Sequence, residues 1–222
     1  MGVRPNSPAI TISVSFKDPL SLKSSSSAET ARSVGGNKKS FSLGKFAPNE
    51  DPAVTLLGDE QWAWLEEQLG QPADIRFIAS STQIVPDQKG MDEWGNYPLE
   101  RQKLFELIET TGAEGVVFLT GNVHFSELSA TDGGPYRLFD FTSSGLTHVN
   151  EEYPQAPNAY RVAGPVVEIN FGLVEIDWEA TPSPLITFRV LDIDGDVQLE
   201  YKLESEKLRA QQGDSPDKGV VE

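Results

Sequence analysis

An asparagine and a histidine directly follow one apolar segment of the chain. Val116 to Thr120 is apolar enough to form a buried strand, and Gly121, Asn122 and His124 come next. In open α/β sheets, ligand sites gather outside the carboxyl ends of the strands. Because Asn122 and His124 are two residues apart, their side chains would lie on the same side of an extended segment. An amide oxygen and an imidazole there can bind one metal ion or two adjacent ions, although a histidine that is merely hydrogen-bonded fits the same pattern.

The composition of the 222-residue chain narrows the chemistry that it can perform. The sequence contains no cysteine, which excludes disulfides, thiolate metal ligands and a cysteine nucleophile. His124 and His148 are its two histidines, so a zinc site built from three histidines is excluded as well. The formal net charge is −16, whereas neutralising the phosphates of a nucleic acid needs clustered Lys and Arg. The sequence therefore carries no nucleic-acid-binding signature.

The first 46 residues differ in character from the rest of the chain. They hold seven basic and two acidic residues, and a run of four serines spans Ser24 to Ser27. Such a composition predicts a flexible segment, either a solvated linker or a basic arm for an anionic partner, with one extended piece at Ile10 to Phe16. These residues do not form a secretory signal, and no stretch reaches the roughly 20 apolar residues of a membrane span. The compartment is therefore not indicated.

From Leu56 onward the pattern predicts alternating helices and strands. A helix over Glu60 to Leu69, capped by Asp59, precedes an apolar strand at Ile75 to Ser80. A second helix begins at Pro98 and leads to the strand at Val116 to Thr120. A strand, helix, strand order of this kind predicts a parallel sheet with a right-handed crossover.

After Gly121 the chain becomes rich in predicted β-structure. Phe125 to Thr131 and Tyr136 to Thr142 predict a hairpin, and strict alternation marks three half-buried strands between Val174 and Leu203. The Asp192 to Asp196 segment has acidic spacing reminiscent of a calcium loop. Its glycine comes too early for that loop, however, so a tight hairpin turn is the interpretation that the flanking strands favour.

Several segments resemble, in the same order, those of the alkaline phosphatase D (PhoD-like) metallophosphoesterase family. Gly121 to His124 is similar to the late Gly-Asp-x-His metal motif of that family, and Leu57 to Leu65 is similar to its Leu-Gly-x-x-Gln-x-x-Trp-Leu helix. The resemblance extends over about Phe16 to Leu203. The other segments that carry it are Asn49 to Pro52, Ser81 to Ile84, Trp94 to Arg101, Thr142 to Leu146, Asn170 to Gly172 and Asp192 to Gly195.

The resemblance implies both a fold and a reaction. The implied fold is α/β, part of a two-sheet αββα sandwich of the metallophosphoesterase type with a mainly antiparallel C-terminal portion. The implied reaction is the hydrolysis of small phosphate monoesters or diesters by a two-metal site, with iron and calcium as the family's metals and zinc or manganese as alternatives. Two metals of this kind polarise phosphoryl oxygens and lower the pKa of a bound water.

The resemblance also assigns roles to individual residues. His124 matches the metal-ligand histidine, and Asn122 stands where the family has a metal-ligand aspartate; an amide is neutral and binds a cation more weakly. His148 follows a Thr-Ser-Ser-Gly-Leu segment and is a candidate for substrate contact or a surface loop residue. Trp94 is a candidate for the cleft wall, and the other tryptophans, Trp62, Trp64 and Trp178, are interpreted as core anchors. Glu127, which is close to the motif, is interpreted as a solvated strand residue.

The resemblance divides the chain into three parts. Residues 1–46 form the basic segment, residues 47–204 the C-terminal part of the phosphatase domain and residues 205–222 a polar tail. The family's early motifs have no match in residues 1–46, so we expect a half domain with weak or no activity and with an exposed sheet surface that promotes self-association. The alternatives are a non-catalytic fragment and a β-rich interaction module carried by Val174 to Leu203.

Overall fold

A computed structural model describes residues 10–14 and 46–210 of the chain, which form two β-sheets and two helices of ten residues or more. The first half contains β1 (Ile10–Val14), α1 (Asp59–Leu69), β2 (Ile75–Ala79), α2 (Pro98–Thr110) and β3 (Val116–Thr120). The second half contains β4 (Ser126–Thr131), β5 (Leu138–Ser143), β6 (Arg161–Val166), β7 (Asn170–Asp177), β8 (Leu185–Asp192) and β9 (Val197–Glu204). Short 3₁₀ turns occupy Trp94–Asn96, Tyr153–Gln155 and Ser205–Leu208.

The larger sheet has six strands in the order β1-β2-β3-β5-β4-β6. Strands β1, β2, β3 and β5 run parallel, whereas β4 is antiparallel to both of its neighbours. The predicted parallel pair and the predicted β4–β5 hairpin are therefore confirmed. Since β5 rather than β4 is the neighbour of β3, the carboxyl ends of β3 and β5 meet at the same edge of the sheet.

Both helices pack on one face of this sheet. Helix α1 buries Trp62, Leu65 and Leu69, as the spacing of these residues predicts. In α2, the ring of Phe105 stacks on the ring of Phe118 in β3, with centroids 6.4 Å apart. The predicted cap of α1 is wrong by one residue. Gly58, with φ 75°, is the cap, and Asp59 is already helical.

The other face of the six-stranded sheet packs against the antiparallel sheet β7-β8-β9. Phe141 contacts Phe188 with ring centroids 5.2 Å apart, and Phe139 contacts Tyr201 at 6.0 Å. This arrangement confirms the α/β class with two packed sheets and an antiparallel C-terminal portion. The outer face of the smaller sheet exposes Phe171 and Leu173.

Three further sequence predictions can be compared with the structure. Strand β1 lies inside residues 1–46 and pairs with β2, and the remainder of that segment is outside the described residues. Leu208 is fully buried, so packing continues beyond residue 204, and residues 211–222 are also outside the described part. Trp64 was predicted as a core anchor, but it lies on the solvent side of α1 and is 39 % exposed.

The Asp192 to Asp196 segment is a hairpin turn between β8 and β9, as predicted. A carboxylate oxygen of Asp192 accepts the backbone N–H groups of Asp194 and Asp196, so it stabilises the turn. Within residues 10–14 and 46–210, no helix has the length and apolar character needed to cross a membrane.

Candidate functional site

Two loops meet at the edge of the sheet where β3 and β5 end. The first, residues 121–125, follows β3, and the second, residues 144–150, follows β5. The backbone N–H of His124 donates to the Ser144 hydroxyl at 3.2 Å, and the carbonyl of His124 accepts the N–H of Asn150 at 3.1 Å. These hydrogen bonds attach one loop to the other on both sides of His124.

The two histidines of the chain are brought together by these loops. The rings of His124 and His148 have centroids 3.9 Å apart and are inclined at 59°. His148 is exposed and its Nδ1 lies 3.0 Å from the hydroxyl of Thr147. Partial burial, and secondly the neighbouring His148, lower the pKa of His124 below its ordinary value, which favours the neutral imidazole.

Asn122 and His124 adopt a backbone conformation that the sequence did not suggest. Their φ angles are 74° and 59°, so both residues are left-handed, and the segment is a turn rather than the extended stretch predicted. Left-handed backbone in a non-glycine residue costs about 1–3 kcal/mol and clusters at functional sites. The Asn122 amide nitrogen approaches the backbone carbonyl of Asp92 at 3.4 Å, which places Asn122 beside the loop that precedes α2.

An open cleft of about 350 Å³ lies at the same edge of the sheet, and Gly121 is the residue of the two loops that lines it. Its walls include Ser80 and Ser81 after β2, Gly121 after β3 and Ser143 at the end of β5, with Phe141 contributing apolar surface. This is the crevice outside the carboxyl ends of parallel strands where α/β proteins bind ligands. Its hydroxyl groups suit polar, uncharged parts of a small ligand.

Trp94 is placed by the structure in the core below this cleft. It is 4 % exposed, meets the ring of Trp62 edge-on at 6.4 Å and donates its indole N–H to the Ser80 hydroxyl at 3.1 Å. Trp94 therefore supports Ser80, a residue of the cleft wall. A direct contact of Trp94 with a substrate stays a prediction.

A buried charge cluster lies under the same edge of the sheet, and its central residue is Glu127. Lys89 and Arg161 form ion pairs with the two carboxylate oxygens of Glu127, at 2.6 and 2.5 Å, and Gln83 and Asn158 donate amide N–H groups to it. We call these five residues the Glu127 cluster. Glu127 is 0 % exposed, so its interpretation as a solvated strand residue is wrong.

The electrostatics of this region differ from one carboxyl group to the next. Burial alone would raise the pKa of Glu127, but the positive charges of Lys89 and Arg161, together with hydrogen bonds from Lys89 and Gln83, hold it below its ordinary value. Burial raises the pKa of Asp140, even though that carboxylate accepts the backbone N–H groups of Ile84 and Val85. These two carboxylates therefore fasten the loop after β2 onto β4 and β5.

Glu93 is the third buried carboxyl group of this region, and one of its oxygens lacks a hydrogen-bond partner among the described residues. Burial raises its pKa to about 7. One of its oxygens accepts the backbone N–H groups of Lys89 and Gly90, and the other is buried without a hydrogen-bond partner in the described part of the chain. Glu93 therefore ionises with difficulty at its position in the loop.

Three side chains near the two loops are of types that can bind a metal ion. His124 and His148 supply imidazoles and Asn122 supplies an amide, whereas the described residues contain no group of three or more His, Cys, Asp or Glu side chains suited to a metal ion. A two-metal phosphoesterase site needs more protein ligands than this. The described residues thus fit one side of a metal ion and do not complete a two-metal centre.

This layered α/β chain has a polar site at the carboxyl ends of β3 and β5. Comparison with known proteins assigns the chain to one family. A family model described as PhoD-like phosphatase matches residues 26–159, more than half of the sequence. The chain therefore belongs to the PhoD-like phosphatase family.

Two relatives extend the comparison. Alkaline phosphatase D of Bacillus subtilis (strain 168) is 33 % identical over 91 residues, which cover 35 % of this chain and 15 % of that protein. A solved structure described as the structure of PhoD has a TM-score of 0.47 and 21 % identity, and the match covers 69 % of this chain and 36 % of that one. The chain thus spans well under half the length of either relative.

Proposed function

We propose that this chain contributes to a metal-dependent phosphoric ester hydrolase that acts on small phosphate monoesters or diesters. The family match to PhoD-like phosphatases carries the proposal. The convergence of Asn122, His124 and His148 beside an open cleft supports it, because the donors and the space for a substrate occur at one edge of the sheet. The proposed metals are iron together with calcium, with zinc or manganese as alternatives.

His124 has the clearest role in the proposed site. Its imidazole, kept neutral by the lowered pKa, would hold the metal, and Asn122 would offer an amide oxygen where the family pattern has a carboxylate. When bound, such a metal supplies Lewis-acid polarisation of the phosphoryl group and a water of lowered pKa. Ser80, Ser81 and Ser143 would orient the ester through their hydroxyl groups in the cleft.

We expect the 222-residue chain alone to be weakly active at most. Metal affinity depends on the number and geometry of the ligands, and the described donors form only part of a set. The proposed division into residues 1–46, 47–204 and 205–222 places all of these donors in the middle part.

A stand-alone β-rich module is less well supported by the packing. Strands β7, β8 and β9 bury Ile186, Phe188 and Leu203 against the six-stranded sheet, so this sheet shares its core with the rest of the domain. The exposed Phe171 and Leu173 remain the surface on which the proposed self-association would rest.

Hydrolysis of p-nitrophenyl phosphate and of its bis-ester tests the proposed function. The purified chain is assayed with iron plus calcium, then with manganese or zinc, beside His124→Ala and the matched surface variant Gln102→Ala from the exposed face of α2. Slow turnover that needs metal, persists in Gln102→Ala and disappears in His124→Ala is the expected result. Turnover that is absent with every metal would favour a non-catalytic fragment instead.

A further inference from the structure

We propose that His148 is a second imidazole ligand to the metal held by His124, and that the pair selects a transition-metal ion over Ca²⁺. The inference rests on the proposed function for the role of His124, and it changes the role of His148 from substrate contact to metal ligand. It follows from the contact between the two rings, the partner of His148 Nδ1 and the attachment of the two loops to each other.

The spacing of the rings is the first argument. Centroids 3.9 Å apart with a 59° inclination put the two rings in direct contact, so that rotation about the side-chain bonds can turn one nitrogen of each ring toward a common ion. A tilted contact of two rings is stabilised by dispersion in the absence of an ion. A cation shared between one nitrogen of each ring would add a stronger interaction to the same contact.

The hydroxyl of Thr147 is the second argument. It lies 3.0 Å from Nδ1 of His148, and a metal-ligating histidine characteristically donates its other ring N–H to a neighbouring oxygen. With Nδ1–H donated to Thr147, the lone pair of His148 is on Nε2. Thr147 is then a positioning residue that fixes the tautomer of His148.

The attachment of the loops is the third argument. The backbone of His124 is hydrogen-bonded on both sides to the 144–150 loop, at Ser144 and Asn150, so the two imidazoles are held on one preorganised unit. The left-handed φ of His124 is strain that these contacts maintain. Preorganisation of this kind lowers the entropic cost of bringing two ligands to one ion.

The chemistry of the donors sets the class of metal. Imidazole nitrogens suit zinc, iron, cobalt, nickel and copper, whereas Ca²⁺ takes six to eight oxygen ligands. The described donors are two nitrogens and one amide oxygen. This half of the site therefore suits a transition metal, and an oxygen-rich ion such as Ca²⁺ would need its ligands elsewhere.

Titration of the chain with Co²⁺ alone, and separately with Ca²⁺ alone, tests the inference. Visible absorption reports nitrogen ligation of Co²⁺, and calorimetry gives the affinity of wild type, His124→Ala, His148→Ala, Thr147→Val and the surface control Gln102→Ala. We expect each histidine variant to lose at least about 100-fold in Co²⁺ affinity and Thr147→Val to lose about 10-fold. Gln102→Ala should match wild type, and Ca²⁺ should not compete with Co²⁺.

Proton NMR of the wild-type chain provides a second measurement that does not depend on any variant folding. Because His124 and His148 are the two histidines in the sequence, the wild-type spectrum contains two sets of imidazole signals, and we expect both sets to shift on addition of one equivalent of Zn²⁺. A shift confined to one set would overturn the proposal. So would Co²⁺ binding by His148→Ala that equals wild type, or a wild-type chain that binds no Co²⁺.

The outcomes also separate this inference from the proposed function. If His148→Ala keeps its Co²⁺ affinity but loses hydrolysis, His148 contacts substrate, and the inference fails while the hydrolase survives. If both imidazoles bind Zn²⁺ while no ester is hydrolysed by wild type, the metal site stands and the result favours the non-catalytic fragment over the hydrolase.

Discussion

Replacing Glu127 by glutamine should destabilise the domain severely, because it removes the carboxylate that pairs with the buried charge of Lys89. Lys89 and Glu127 are both 0 % exposed, and their charged atoms are 2.6 Å apart. At an effective dielectric constant of about 20, one such pair is worth about 6 kcal/mol before desolvation is subtracted. Breaking a buried pair by removing one partner costs about 3–5 kcal/mol. We expect Glu127→Gln to lose that amount.

Urea and thermal unfolding at neutral pH measure this loss. For a domain of this size, about 3–5 kcal/mol corresponds to a fall of about 6–20 °C in Tm. The matched control is Glu175→Gln, which breaks the ion pair with Arg189 on the solvent-exposed side of β7. An exposed pair is worth about 0–1 kcal/mol, so the control should differ little from wild type.

A double variant separates the loss of the pair from a general loss of packing. Lys89→Met removes the buried charge from which Glu127→Gln has taken its ion-pair partner, and methionine retains most of the length of the side chain. We expect Lys89→Met combined with Glu127→Gln to recover at least about 2 kcal/mol of the loss. If Glu127→Gln behaves like Glu175→Gln, or if the double variant is no more stable than the single one, the argument for a stabilising buried pair is refuted.

Three further perturbations follow from the same contacts. The folded pKa of Glu93, about 7, lies above its ordinary 4.5, so the free energy of unfolding should fall by up to about 3 kcal/mol as the pH rises from 4.5 to 7; urea titrations across this range should show Glu93→Gln without that fall. Glu100 accepts N–H groups from Leu57 and Trp62, so Glu100→Ala should cost about 2–4 kcal/mol by thermal unfolding and shift the indole N–H resonance of Trp62, while Glu100→Gln retains most of the stability. A Cβ at Gly172 would lie 2.8 Å from Phe141, so Gly172→Ala should cost about 1–3 kcal/mol in urea, whereas a Cβ at Gly70 meets its neighbours at ordinary distances and Gly70→Ala should be nearly neutral. Equal unfolding midpoints for the two glycine variants, a pH slope retained by Glu93→Gln, or an unperturbed Glu100→Ala would each contradict the corresponding argument.

The elements that the sequence predicted well are those that local pattern specifies. Apolar runs punctuated by glycine and proline located α1, α2, β2 and β3, and alternation located β7, β8 and β9, because burial on one or two faces leaves its period in the chain. The cap of α1 was misplaced since glycine and aspartate both suit that position, and the backbone angle at Gly58 decided between them.

The local sequence pattern could not predict that His148 lies close to His124. The two residues are 24 positions apart, and their contact depends on β5 lying between β3 and β4 in the sheet. A hairpin in the order β3-β4-β5 would have separated the two carboxyl ends. Strand order is a tertiary property, so only the separate candidacy of each histidine could be stated from the sequence.

The burial of Glu127 was missed for a similar reason. A glutamate in a strand of mixed polarity is usually exposed, but β4 has β5 on one side, β6 on the other and the 81–97 loop above it. The two cations that offset the cost of burying Glu127 are Lys89, from a loop, and Arg161, from β6. Strand β6 has no apolar run or strict alternation that predicts it from the sequence. The serines that flank Glu127 on β4 are the one signal that could have suggested a polar interior.

The β4–β5 hairpin carries the chain away from the first histidine and back to the second. Its turn, beginning at Asp132, is one strand length, about 20 Å, from the two imidazoles, while the register from Ser126 to Thr131 fixes where β5 ends. Length added at the turn leaves that register unchanged. The turn is therefore a natural insertion point, where a reporter or an additional module can be accommodated without displacing either histidine.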